Sequence, residues 1–296
     1  MPAILAPRPT GTPADATLLL AREASVTYGP VPRELGGIAV ADGQFHLSGD
    51  AFLLRTGEGL NYFYRKGVGV TIERSEDFDP RDEALWLNGS VYAAVASING
   101  FKPIHASAVA HKGKVFAFTG PSGAGKSTLV AALGSLGFPM FCDDTLVLDI
   151  SDPSQITCLP GHKRLKLTAE ALALTNATRE EEVGASVEKF YAQPAGGVVD
   201  LPLPLAKLIF LEEGDAIALK PVTGAQRFAR LSDNHYTADL FDRAQQHNLA
   251  GQFALQARLA SQIAMARLIR PWDALHFRES VSLAASQITR RDASAT

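Results

Sequence analysis

Gly120-Pro-Ser-Gly-Ala-Gly-Lys-Ser127, followed by Thr128, fits the pattern G-x-x-x-x-G-K-[ST], and its surroundings are those the pattern requires. The apolar run Val115-Phe-Ala-Phe118 precedes it as a strand, and Ser127 to Leu136 is apolar at helical spacing until Gly137 and Pro139 end the helix. Glycines let backbone N–H groups converge on phosphate oxygens, while the helix N-terminus behind them favours negative charge. Lys126 is placed to reach the β- and γ-phosphates and Ser127 to offer a hydroxyl to Mg²⁺. The nucleotide-binding segment is therefore Gly120, Pro121, Ser122, Gly123, Ala124, Gly125, Lys126, Ser127 and Thr128. A strand, a phosphate loop and a helix in that order place the chain among α/β proteins.

Upstream of the loop, His105-Ala-Ser-Ala-Val-Ala-His111 and Val115–Phe118 flank Lys112-Gly113, a two-residue turn signal. A hairpin closed there sets His105 opposite Gly120 and carries an imidazole to the phosphate site, whereas His111, beside the turn, is expected to face solvent. Downstream, Phe141 to Ile150 reads as a strand with Asp143 and Asp144 near its start. Neighbouring strand residues face opposite sides, so the pair can divide, one toward the metal and phosphates and the other toward an acceptor or a supporting contact. Cys142, beside them, is read as a small buried residue.

Farther out, residues 25–73 alternate short apolar runs with Gly and Asp, as a small antiparallel β unit does, and Leu85 to Asn99 has helical spacing. This divides the chain into an N-terminal β-rich unit with a closing helix, 1–100, and a catalytic unit with C-terminal helices, 101–296. Leu205-Ala-Lys-Leu-Ile-Phe-Leu211 reads as a buried strand. A helix is expected from Ala238 to Ile269, with Leu255, Leu259, Ile263 and Ala266 on one stripe and Pro271 as its stop, and Arg290 to Thr296 as a frayed tail.

The 296 residues are 46% hydrophobic and carry 28 Lys+Arg against 31 Asp+Glu, a formal charge of −3 with no long run of one sign. That excludes a nucleic-acid binder held by bulk charge. Cys142 and Cys158 have neither metal-ligand nor redox spacing, and no apolar run is long enough to span a bilayer. A soluble protein of the cytoplasm, with no membrane or nucleic-acid partner, is the expectation; homo-oligomerisation stays open.

The order His-Ala-Ser-Ala-Val, hairpin, Gly-Pro-Ser-Gly-Ala-Gly-Lys-Ser-Thr-Leu and Phe-Cys-Asp-Asp resembles the catalytic domain of HPr kinase/phosphorylase and HPr-kinase-like proteins over roughly residues 101–235. ABC ATPases and guanylate kinases share the loop, but their downstream signatures are missing. The resemblance implies a P-loop core related to phosphoenolpyruvate carboxykinase. It implies a site made of His105, Lys126, Ser127, Asp143 and Asp144, with ATP and Mg²⁺ as cofactors. Gly161-His-Lys-Arg-Leu-Lys-Leu167 departs from the signature linked to the reverse, phosphate-consuming reaction. That segment, Asp200–Leu208 and Arg227–Tyr236 look more like the shorter proteins of biosynthetic clusters, which include lasso peptide tailoring kinases.

The implied activity is transfer of the γ-phosphoryl group to a serine of a peptide or protein, a lasso-type precursor among the acceptors. In this scheme Asp143 accepts the hydroxyl proton, Ser127 and Asp144 serve Mg²⁺, and His105 orients the acceptor or Asp143, or shields the charge between them. Lys163, Arg164, Lys166, Lys189, Arg227 and Arg230 are candidates for a cationic clamp on the transferring group, Arg164 and Arg230 foremost. A bifunctional kinase/phosphorylase, a kinase of small hydroxylated molecules and a silent nucleotide-binding protein are the alternatives.

Overall fold

A computed structural model describes residues 13–290 except 176, 185–186, 232–235 and 247. The protein is mixed α/β, with a phosphate-loop core and a largely antiparallel sheet in front of it. The core is organised by Lys114–Thr119, the strand that feeds the loop. On one side it pairs antiparallel with Lys102–His111, Ala106 lying opposite Thr119, which is the register of a hairpin closed at Lys112-Gly113. On the other it runs parallel to Leu203–Glu213, which in turn runs parallel to Met265–Arg270. Leu203–Glu213 changes partner along its length. Its first residues pair with Thr157–Leu159 and the following ones with Lys114–Thr119. Thr157–Leu159 pairs with Thr145–Asp149, and that strand with Lys102–His111, so the central strands curl round until they close on one another.

The two-residue period of the loop strand sorts its side chains onto two faces. Phe116 and Phe118 pack with Leu129, Val130 and Leu133 of the loop helix Lys126–Ser135 and with Phe277 and Val281 of the last helix, Phe277–Thr289. Val115 and Ala117 face a second cluster with Leu146, Leu148, Leu208, Phe241 and Leu259. The loop is thus held on a strand and a helix whose apolar faces are both buried.

In the front sheet Gln44–Ser48, Ala51–Arg55, Leu60–Arg65 and Gly69–Arg74 are antiparallel, and Val26–Tyr28 adds a parallel edge. Behind it lie Pro80–Trp86, a single π-helical stretch Leu87–Val91, and Tyr92–Ile98. Phe52, Tyr62 and Tyr64 share a core with this helical segment that also takes Val147, Leu159 and Leu240. The front unit therefore packs directly on the loop core.

Glu23 ties this unit together. It is 2% exposed and accepts hydrogen bonds from the Tyr64 hydroxyl and the Gly67 N–H, both at 2.7 Å. Burial alone would raise its pKa; the Gly67 N–H, the Tyr64 hydroxyl and Arg22 outweigh it and leave the carboxyl below its ordinary 4.5. A depressed carboxyl contributes stability above its unfolded pKa and loses it as pH falls through the folded one. Glu23→Gln is expected to lower stability by about 1–3 kcal/mol at neutral pH. The gap from wild type should close as the pH falls below 4.5, as read by urea melts across that range.

Three expectations are corrected. The helix expected over Ala238–Ile269 is two helices, Tyr236–Ala244 and Leu249–Gln262, followed by the strand Met265–Arg270. The Asn248 side chain accepts from the Gly251 N–H to start the second helix. A short, largely apolar stretch such as Met265-Ala-Arg-Leu-Ile fits a buried parallel strand as readily as a helical stripe. The strand expected over Phe141–Ile150 is broken into Met140–Cys142 and Thr145–Asp149 by Asp144, whose φ is +71°. His111 is half-buried against the Phe138 ring, with 5.3 Å between ring centres. Of the tail, residues 291–296 lie outside the described residues. Among those described, no helix is long and apolar enough to cross a membrane.

Candidate active site

Where the loop strand ends, the chain turns through Gly120, Gly123 and Gly125, all at positive φ. Gly125 is constrained twice: its φ is +80°, and a Cβ there would lie 2.7 Å from the Arg270 guanidinium. Inside the loop Lys126 is 7% exposed, and its Nζ donates to the carbonyls of Gly120 and Pro121, both at 3.0 Å. Burial pulls its pKa below the usual lysine value, against the opposing charges of Asp143 and Asp144. An ammonium held this way gains most when an anion enters the loop.

Asp143 is buried, with 1% exposure, and its oxygens are occupied. Oδ1 accepts from the Ser127 hydroxyl at 2.8 Å and the Ser107 hydroxyl at 2.5 Å, and Oδ2 accepts from the Lys166 N–H at 3.0 Å. Asp144 is 29% exposed. Its Oδ1 lies 3.4 Å from His105 Nε2, and its Oδ2 accepts from Lys166 Nζ at 2.9 Å. Burial would raise the Asp144 carboxyl, but the His105 hydrogen bond and the Lys166 ammonium hold it well below the usual carboxylate range. His105 is fixed through its backbone: it pairs with Thr145, and its carbonyl accepts from Thr119 Oγ1 at 3.0 Å. The π-helical stretch of the front unit reaches this point too, since a Cβ on Gly89 would sit 3.6 Å from Asp144 Oδ2.

These groups line one cleft of about 320 Å³, with Lys189 and Arg270 on its wall. The two aspartates do not face opposite sides of a strand; the break at Asp144 turns both carboxylates into the same cleft. Ser127 and Asp143 offer a hydroxyl and a carboxylate oxygen side by side, the donor chemistry of Mg²⁺ bound jointly with phosphate and water. Among the described residues no group of three or more His, Cys, Asp or Glu side chains forms a cage for an ion by itself.

Of the clamp candidates, Lys166 and Lys189 line the cleft and the others do not. Lys163 hydrogen-bonds the Phe141 carbonyl and lies 3.5 Å from Asp200. Arg164 is paired with Glu180 at 2.7 Å and Glu181 at 2.6 Å and stacks over the Tyr191 ring. Arg230 pairs with Glu212 and lies over Phe210, and Arg227 holds the Ile263 carbonyl at 2.6 Å. Lys166 is the cation that contacts the aspartate pair, through its ammonium to Asp144 and its N–H to Asp143. Burial raises the Cys142 thiol well above its ordinary pKa, in keeping with a packed residue rather than a nucleophile.

Two contributors escaped the sequence. Ser107 stands two residues after His105 on the same strand, and the period of two alone puts both on one face. Arg270 stands just past the end of the expected helix, where a strand stands instead. It is 4% exposed, its Nη2 donates to the Ala124 carbonyl at 2.9 Å, and burial lowers its pKa against the charge of Asp273.

No family model matches the chain, and no curated protein matches it. Among solved structures, the HPr(Ser) kinase/phosphatase from Coxiella burnetii is similar at 12% identity and a TM-score of 0.34, over 63% of this chain and 97% of that one. The likeness is distant and concerns the fold alone.

Proposed function

We propose that the chain is an ATP- and Mg²⁺-dependent kinase that transfers the γ-phosphoryl group to a hydroxyl, with a serine of a peptide or protein as acceptor. The observation that carries this is the division of labour in the cleft. Ser127 and Asp143 are joined behind the phosphate loop, whereas Asp144 and His105 face the open side. Lys126 and the loop N–H groups would hold the β- and γ-phosphates. Ser127 and Asp143 would hold the Mg²⁺, which neutralises charge on the phosphate oxygens.

This geometry favours exchanging the roles given to the two aspartates above. Asp143 already accepts three hydrogen bonds, so an incoming hydroxyl finds its place beside Asp144. The low pKa of Asp144 keeps it ionised at neutral pH and makes it a weak base. A weak base suffices when the phosphoryl group is transferred through a loose transition state and the proton leaves late. His105 orients Asp144, and Lys166 steadies its charge and brings a cation to the transferring group.

The test is to incubate the protein with Mg²⁺-ATP and a panel of acceptors, and to follow ADP release and acceptor mass. Phosphorylated serine peptides are expected. Transfer only to free serine, sugars or nucleoside monophosphates would make it a small-molecule kinase. Pyrophosphate formed from a phosphoprotein and inorganic phosphate would make it bifunctional. No transfer to any hydroxyl overturns the proposal.

A further inference from the structure

The cleft has a second half that phosphate chemistry does not use. Lys114–Thr119, Leu203–Glu213 and Met265–Arg270 run parallel, so their C-terminal ends open on one edge. That is the edge on which open α/β sheets take their ligands. The first strand ends in the phosphate loop. The third ends in residues 271–276, which lead into the helix Phe277–Thr289. From there Trp272 and Phe277 line the cleft, together with Ala171 and Leu174 of the helix Ala169–Leu174. Trp272 is 38% exposed and Leu174 37%, so two large apolar side chains lie partly open to water within one cleft.

A second observation ties this end of the cleft, where Glu170 and Asp273 also stand, to the phosphate end. Arg270, two residues before Trp272, is 4% exposed and hydrogen-bonds the Ala124 carbonyl inside the loop, and its Nε has no partner among the described residues. The strand end that carries the indole is thereby pinned to the loop that would carry the phosphates. The cleft volume, about 320 Å³, is that of a small-ligand pocket. A polyanion-binding loop and a flat aromatic platform in one cleft match a ligand with a phosphate chain at one end and a planar ring at the other.

We infer that Trp272 is the platform on which the base of the nucleoside triphosphate stacks, with Leu174 packing beside it and Arg270 as a positioning residue between base and phosphate subsites. The larger ring area of a purine makes it the preferred base. This inference rests on the nucleotide reading of the phosphate loop, and the experiment separates the two.

Trp86 and Trp272 are the two tryptophans of the sequence, and Trp86 belongs to the front unit, bonded to Glu58. In Trp86→Phe the fluorescence therefore reports on Trp272 alone. Mg²⁺-ATP is expected to quench it, and inorganic tripolyphosphate, which has the phosphates without the base, is expected to leave it nearly unchanged. By calorimetry, Trp272→Ala should weaken ATP binding by about 5- to 150-fold, the range for loss of one base–aromatic stack. Tripolyphosphate affinity should not move, and Trp272→Phe should recover most of the loss. An unchanged ATP affinity in Trp272→Ala, or an equal loss for ATP and tripolyphosphate, overturns the base subsite and leaves the phosphate loop standing. If neither ligand binds the wild-type protein, the nucleotide reading falls and the base subsite with it.

Discussion

Asp144→Asn is expected to slow phosphoryl transfer by about 1,000-fold, within the 10²–10⁴ range for loss of a positioned acid–base group, while Mg²⁺-ATP binds within a few-fold of wild type. The substitution is suited to the site. At φ +71° most side chains are strained, but Asn tolerates this region about as well as Asp, so the backbone break should survive. What changes is the acceptor-only carboxylate, which becomes an amide that cannot take the hydroxyl proton. Lys166 loses its partner at 2.9 Å and His105 its neighbour at 3.4 Å, and some destabilisation will accompany the kinetic effect. The decisive comparison is therefore kinetic, made with Asp143→Asn. That variant should raise the Mg²⁺ concentration needed for half-maximal rate, because it weakens the Ser127–Asp143 pair. If Asp143→Asn instead removes transfer at unchanged Mg²⁺ requirement and Asp144→Asn retains it, the proton acceptor is Asp143.

Lys126→Met is expected to lower the transfer rate by about 100- to 1,000-fold, the usual effect of removing one preorganised donor from a developing anion. ATP affinity should fall as well. The ammonium is held on two loop carbonyls at 3.0 Å and is disfavoured there by burial. A triphosphate would bring countercharge to it, so this side chain would contribute to both ground-state and transition-state binding. Methionine keeps most of the buried volume but removes the donor shared by the Gly120 and Pro121 carbonyls, of which Pro121 keeps the Ala124 N–H at 3.2 Å. Parallel melting curves separate that structural loss from the kinetic one. A variant that folds, binds ATP as wild type does and transfers at wild-type rate would take Lys126 out of the chemistry.

Much of this site is legible because its parts are close in sequence and obey short-range rules. The loop, its strand and helix, and the hairpin register that brings His105 to the loop all lie between residues 102 and 135, and each follows from local pattern. The division between Asp143 and Asp144 was not legible. It depends on a single left-handed residue that breaks a strand, and alternation along a regular strand predicts the wrong geometry there. Which of the cations reach the cleft is illegible for a related reason. Arg164, Lys163 and Arg230 read as clamp residues, yet each meets an acidic residue from another segment, which only tertiary structure reveals. Arg270 and Trp272 stand just past the end of the expected helix, where a strand stands instead, because a five-residue, largely apolar stretch does not declare its period.

The hydrogen bond from Arg270 to Ala124 joins residues 146 positions apart, and it bears on the order in which the molecule is assembled. Lys114–Thr119 has its hairpin partner at once, but its parallel neighbour Leu203–Glu213 and the strand beyond that, Met265–Arg270, emerge much later from a ribosome. Long-range parallel pairing is slow to form because the intervening chain must be closed into a loop first. A nascent chain that already displays the whole glycine motif therefore still lacks the wall that braces it. Nucleotide capture should begin only after the last fifth of the chain has been synthesised and docked, and a fragment ending before Met265 should carry the motif without the binding site.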